Sequence, residues 1–138
     1  MRLKQINIEN FRAIKNSTIR FRELTAVVGE NNSGKTAILR ALNSVFNYPD
    51  EERDFQSGAH RFAPRTITKI TLVFSDIPER AEYHGLINSS GELHLKFTYN
   101  YSKSTPGRRL YYEKNGNSKQ LETSFINVIK KDIDYIYP

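Results

Sequence analysis

Gly29-Glu30-Asn31-Asn32-Ser33-Gly34-Lys35-Thr36 constrains this chain more than any other stretch. It satisfies G-x-x-x-x-G-K-[ST] in full, and its flanks are the ones that pattern requires. Before it runs Leu24-Thr25-Ala26-Val27-Val28, a near-continuous apolar segment suited to a strand covered on both faces. After it, Thr36 to Phe46 reads as a helix, because Ile38, Leu39, Leu42, Val45 and Phe46 form one apolar stripe. Strand, glycine-bearing loop and helix in that order predict an α/β fold. The glycines let successive backbone N–H groups converge on phosphate oxygens at a helix N-terminus. In such a nest Lys35 reaches the β- and γ-phosphates and the Thr36 hydroxyl ligates Mg²⁺, so ATP and Mg²⁺ are the expected ligands. The plain alternative is a strand-to-helix turn that holds no ligand.

The 138 residues are enough for one domain with a real core. The absence of cysteine excludes disulfides, thiolate metal ligation and thiol catalysis. No window approaches the roughly 18 apolar residues of a membrane span, and Met1-Arg2-Leu3-Lys4-Gln5 has no signal-peptide core. A soluble cytoplasmic protein without a membrane partner is expected. The net charge is +6, a balance that favours phosphate-bearing partners. It is uneven: residues 1–46 carry eight basic and three acidic groups, residues 47–92 five and eight, and residues 93–138 eight and four.

Elsewhere the patterning is mostly that of strands. Leu3 to Ile8 reads as a strand with Lys4, Ile6 and Ile8 on one face, and Thr18 to Phe21 as a second. Phe11 and Ile14 anchor the polar connection between them. Asn47-Tyr48-Pro49-Asp50 is expected to stop the helix, and residues 50–66 to form a loop, acidic first and basic later. Ile67 to Phe74 is a strand, with a short helix near Glu79–Tyr83. Leu93, Leu95, Phe97, Tyr99 and Tyr101 alternate with polar residues, the signature of a half-buried antiparallel strand. Thr105-Pro106-Gly107 turns it into Arg109 to Glu113, and Asn115-Gly116-Asn117 marks the next turn. Leu121 to Lys131 is expected to be helical and Ile133 to Tyr137 a last strand. The expected divisions are a nucleotide lobe over 1–48, a loop over 49–66, and an antiparallel meander with helix and final strand over 67–138.

Asn7-Ile8-Glu9-Asn10-Phe11-Arg12, the phosphate-loop motif and Leu39-Arg40-Ala41-Leu42 together resemble the N-terminus of an ABC-class ATPase of the RecF/SMC branch. Within that branch the sequence is most similar to the OLD (overcoming lysogenization defect) ATPase–nucleases. The specific resemblance covers about residues 3–46. It implies a P-loop lobe of mixed sheet with one main helix, joined to an antiparallel meander. It also implies that Arg12 lies near the nucleotide with Phe11 packed beneath, that two ATPase heads close on ATP as a homodimer, and that the protein acts on DNA in defence or repair. A Walker B strand ending in Asp-Glu, an LSGG-type signature, a switch histidine and a Toprim nuclease segment belong to the pattern but do not occur in these residues. Asp76, after Thr71-Leu72-Val73-Phe74-Ser75, is followed by Ile77-Pro78 and reads as a turn residue. The strand-like end at Ile133–Pro138 suggests a truncated domain, and this stretch alone is expected not to hydrolyse ATP efficiently.

Weaker constellations remain. Asp50, Glu51, Glu52 and Asp54 suggest metal ligands on paper, but read better as a solvated loop. His60, His84 and His94 are scattered. Lys103, Arg108, Arg109, Lys114 and Lys119 interleave with tyrosines around two hairpin turns. Lys103, Arg108, Arg109 and Lys114 are candidate nucleic-acid contacts; edge-strand lysines that prevent aggregation are the plain alternative. Rival functions are a nucleic-acid- or partner-binding module with a non-hydrolysing P-loop, and an SMC/RecF-like structural ATPase without a nuclease.

Overall fold

The computed structural model describes residues 1–20, 33–65 and 67–133, with the backbone alone described at 33–35. The expected strand over 24–28, the loop residues 29–32 and, apart from Ile133, the last strand expected over Ile133 to Tyr137 lie outside the described residues. Six strands form one sheet: β1 (Arg2–Phe11), β2 (Ile14–Arg20), β3 (Ile67–Ser75), β4 (Leu93–Asn100), β5 (Gly107–Lys114) and β6 (Asn117–Leu121). Their spatial order is β2-β1-β3-β4-β5-β6. Every neighbouring pair is antiparallel, so among the described residues the sheet is not mixed as expected. Among the described residues three α-helices accompany it: α1 (Ser33–Phe46), α2 (Tyr48–Ser57), which falls in the expected loop, and α3 (Phe125–Asp132), which falls in the expected second helix.

The register places apolar residues in rows on one face. Ile19, Ile6, Leu72, Leu95 and Tyr112 are successive cross-strand neighbours, as are Ile8, Ile70, Phe97 and Leu110. Side chains alternate along a strand, so the opposite face carries Asn7, Thr71, Lys96 and Tyr111. Leu3, rather than the expected Lys4, joins Ile6 and Ile8 in the core. A bulge between Leu3 and Gln5 shifts the alternation by one and leaves Lys4 outside.

Helix α1 buries Ile38, Ala41, Leu42, Val45 and Phe46, the stripe its periodicity predicts except that Ala41 replaces Leu39. Asn47-Tyr48-Pro49-Asp50 does not open a loop. Pro49 occupies the first helical turn, where its missing N–H costs nothing, and Asp50 and Glu51 complement the helix dipole there. α2 then buries Tyr48, Glu51 and Phe55, and ends at Gly58 with φ +84°. β6 carries polar, exposed residues up to Leu121 and forms an edge strand. Its partner is β5 alone, so it needs no apolar face. Helix α3 begins at Phe125, four residues later than expected, and buries Ile126 and Ile129.

Candidate functional site

The Asn10-Phe11-Arg12 segment ends β1, and each residue has a separate structural reason. Asn10 Nδ2 donates to the Ile67 carbonyl at 3.2 Å, and Thr68 Oγ1 donates to the Asn10 carbonyl at 2.7 Å, which locks the segment to β3. Phe11 is fully buried, its ring 4.7 Å from His60 and 6.1 Å from Phe55. Asn10 and Arg12 both adopt left-handed backbone, with φ +56° and +52°. A non-glycine residue pays roughly 1–2 kcal/mol for that conformation and keeps it only where surrounding bonds dictate it.

Those bonds come from the segment after α2. The Arg12 amide donates to the His60 carbonyl at 2.8 Å, and Arg12 Nε donates to His60 Nδ1 at 2.9 Å. A guanidinium is always a donor, so Nδ1 is the acceptor and the imidazole proton sits on Nε2. That proton is donated to Glu51 Oε1 at 2.9 Å. His60 is wholly buried, and burial, reinforced by the Arg12 charge, lowers its pKa despite the hydrogen bond to Glu51.

The network continues into α1. Asn43 Nδ2 donates to Glu51 Oε2 at 2.8 Å, and Arg40 pairs with Asp54 at 2.9 Å. Arg12 lies 3.7 Å from the same Asp54 oxygen. Glu51, Asp54 and His60 each offer one potential ligand atom within 4.8 Å of the others. Two guanidinium groups balance the two carboxylates, however, and both imidazole nitrogens are engaged. The cluster closes on itself as an ion-pair and hydrogen-bond network, not as an open metal site. The acidic stretch is therefore not the solvated loop expected, because Glu51 is buried against α1.

This network joins the Asn-Phe-Arg turn to the helix that follows the phosphate-loop motif. Arg40 is four residues beyond Thr36, one helical turn and about 6 Å along the axis of α1. Thr36 is exposed in the first turns of that helix. Helical backbone begins at Ser33 and continues through Gly34 and Lys35, while Gly29, Glu30, Asn31 and Asn32 lie outside the described residues. A 14-residue helix leaves its first N–H groups free of intrahelical partners, the arrangement that attracts phosphate.

The four basic candidates on the meander do not form one patch. Arg108 lies over the Tyr48 ring at 4.2 Å, facing α2, with Lys103 on the same side near the hairpin turn. Arg109 points to the other face of β5 and donates to the Thr105 carbonyl at 3.3 Å. Lys114, at the far end of the strand, donates to the Gly85 carbonyl at 3.1 Å. His84 pairs with Glu79 on the surface, and His94 with Glu92. Asp76 follows β3 with φ +54° and is exposed, as a turn residue.

Sequence reasoning missed His60 and its carboxylate. No local spacing ties Arg12 to a histidine 48 positions away. Pro49 followed by two acidic residues was a legible helix start and would have put Glu51 on a buried face.

No described helix is long and apolar enough to cross a membrane. A family profile described as AAA ATPase domain matches residues 1–137. The DNA double-strand break repair Rad50 ATPase of Methanococcus maripaludis is 43% identical over 69 residues, covering 46% of this chain and 7% of that protein. The OLD nuclease of Thermus scotoductus is 44% identical over 43 residues, covering 31% of this chain and 8% of that protein. The matched stretches thus span under a tenth of either relative, and both names agree with the resemblance read from the sequence. With a match that runs from residue 1 to residue 137, the chain belongs to the AAA ATPase domain family.

Proposed function

We propose that residues 29–36 bind the phosphates of ATP and that this chain is the nucleotide-binding part of an OLD-like ATPase acting on DNA. The observation that carries the reading is a complete phosphate-loop motif running into α1, whose helical backbone starts within the motif at Ser33. In this reading the backbone of Gly29–Gly34 and the Lys35 ammonium hold the phosphates, and the exposed Thr36 hydroxyl is available to Mg²⁺. The ion, when bound, screens charge between the β- and γ-phosphates. Arg12 is the proposed second cation at the nucleotide. Head-to-head dimerisation, DNA as the partner and a nuclease elsewhere in the protein complete the proposal, supported by the two relatives' names.

Ligand-linked stabilisation tests it. Mg-ATP at 100 times its Kd adds about 2.7 kcal/mol to unfolding, and Lys35→Ala abolishes that gain. No shift with Mg-ATP favours the rival reading, a binding module whose P-loop carries no nucleotide. The chain carries no Walker B carboxylate or signature segment, so efficient turnover is not expected from these residues alone. Brisk hydrolysis that depends on Lys35 would overturn that part.

A further inference from the structure

An open groove of about 790 Å³ lies between α2 and the β4–β5 hairpin. Its floor is aromatic. Phe55 and Tyr99 stack with centroids 4.8 Å apart at 26°, and Tyr99 meets Tyr101 at 4.9 Å. Arg108 lies 4.2 Å over Tyr48, and Arg61 lies 5.7 Å from the Tyr101 centroid. Tyr101 is only half-buried, and its hydroxyl is held by Thr68 at 2.8 Å, so the ring is fixed before anything binds.

The groove brings several cations beside these rings. Arg12, Arg40 and Arg80 are all ion-paired with carboxylates. Arg61, Lys103 and Arg108 have no carboxylate partner among the described residues, and Glu52 is the one acidic residue lining the groove. Three cations against one carboxylate, set around fixed aromatic rings, suit a ligand that carries both phosphates and flat bases. A duplex keeps its base faces stacked inside, and an acidic peptide has no faces to offer. The volume falls in the ~300–1,000 Å³ range of small-ligand sites.

We propose that this groove binds single-stranded nucleic acid, with a base stacked on Tyr101 and the Arg108 guanidinium and phosphates held by Arg61 and Lys103. The proposal deepens the DNA reading above and rests on it, but does not require ATP. Base–aromatic stacking is sequence-tolerant, so little preference among bases is expected.

Fluorescence anisotropy with a labelled oligo(dT) of about 20 nucleotides tests it, against a duplex of equal length and a polyglutamate peptide. The expected result is binding of oligo(dT) at least about tenfold tighter than duplex, weakened about tenfold in Arg108→Ala. Lys103→Gln and Arg61→Gln, exposed changes that leave the core intact, should each reduce the slope of log affinity against log salt by about 0.7. Arg109→Glu, on the opposite face of β5, should bind as the parent does. Parent-like binding in all three groove variants overturns the proposal, as does equal affinity for duplex or displacement of oligo(dT) by polyglutamate. Duplex binding that survives those substitutions removes the groove and spares the DNA reading. Failure to bind any nucleic acid overturns both.

Discussion

Arg12 donates from Nε to His60 Nδ1 at 2.9 Å while its own backbone amide donates to the His60 carbonyl at 2.8 Å. One residue thus fixes both the backbone and the side chain of the other across 48 positions of sequence. Helix α1 enters the same network through Asn43 and Arg40. The left-handed turn at Arg12 is therefore over-determined, and its arginine is linked through Asp54 and Arg40 to the helix that follows the phosphate-loop motif.

The pairing makes stability pH-dependent. Burial disfavours the imidazolium, and protonating Nδ1 also sets a second cation beside Arg12, so the folded pKa lies below the usual 6.5. The unfolded chain binds that proton first, and stability is complete above about pH 6.5 and falls as pH drops through the folded value. The depressed carboxylates of Glu92 and Asp132 act only below their ordinary values of 4.5 and 3.8. Urea titrations between pH 7.5 and 5 should show declining stability in the parent and a flatter profile in His60→Ala. The variant itself should lose about 2–3 kcal/mol at pH 7.5.

Phe11 and Arg12, adjacent in sequence, should separate structure from ligand response. Phe11 is fully buried among Phe55 and His60, and Phe11→Ala should cost about 3–5 kcal/mol by denaturant unfolding. Arg12 is about one-third exposed, and its long contact with Asp54 is of the kind that contributes roughly 0–1 kcal/mol. Arg12→Gln should therefore stay folded and lose part of the Mg-ATP stabilisation. An unchanged ATP response would exclude Arg12 from the nucleotide site.

The elements legible in the sequence were those whose burial is periodic. α1 and β4 each carry a full apolar stripe and were found at nearly their true limits. α2 was missed because its ten residues hold only two aromatic anchors, Tyr48 and Phe55, behind a charged face, and because Glu51 is buried through a partner rather than through hydrophobicity. β6 was missed because an edge strand next to β5 needs no alternation. The Arg12–His60–Glu51 network was out of reach for a different reason. It is assembled by packing a hairpin turn against two helices, and such non-local juxtaposition leaves no spacing to read.

Gly58 tests the α2 boundary by backbone strain alone. Its φ is +84°, and a Cβ built there meets nothing within 4 Å. Gly58→Ala should cost only the left-handed penalty of about 1–2 kcal/mol, with no steric addition. Gly58→Asn should cost less, because asparagine tolerates that region. Equal losses for both, measured by thermal unfolding, would mean that the residue does something beyond capping the helix.

Thr36 provides the test of the metal. Its side chain is exposed in the opening turns of α1 and lines no part of the core, so isosteric change should leave apo stability within about 0.5 kcal/mol. Thr36→Ser keeps the hydroxyl and should retain Mg²⁺-dependent ATP stabilisation, whereas Thr36→Val keeps the shape and loses the ligand. The expected pattern is a large difference between ATP with Mg²⁺ and ATP with chelator in the parent and Thr36→Ser, collapsing in Thr36→Val. Lys35→Ala should instead lose the response under both conditions, because the lysine acts on the phosphates whether or not a metal is present. A Thr36→Val protein that still distinguishes Mg-ATP from metal-free ATP would place the ion on other residues.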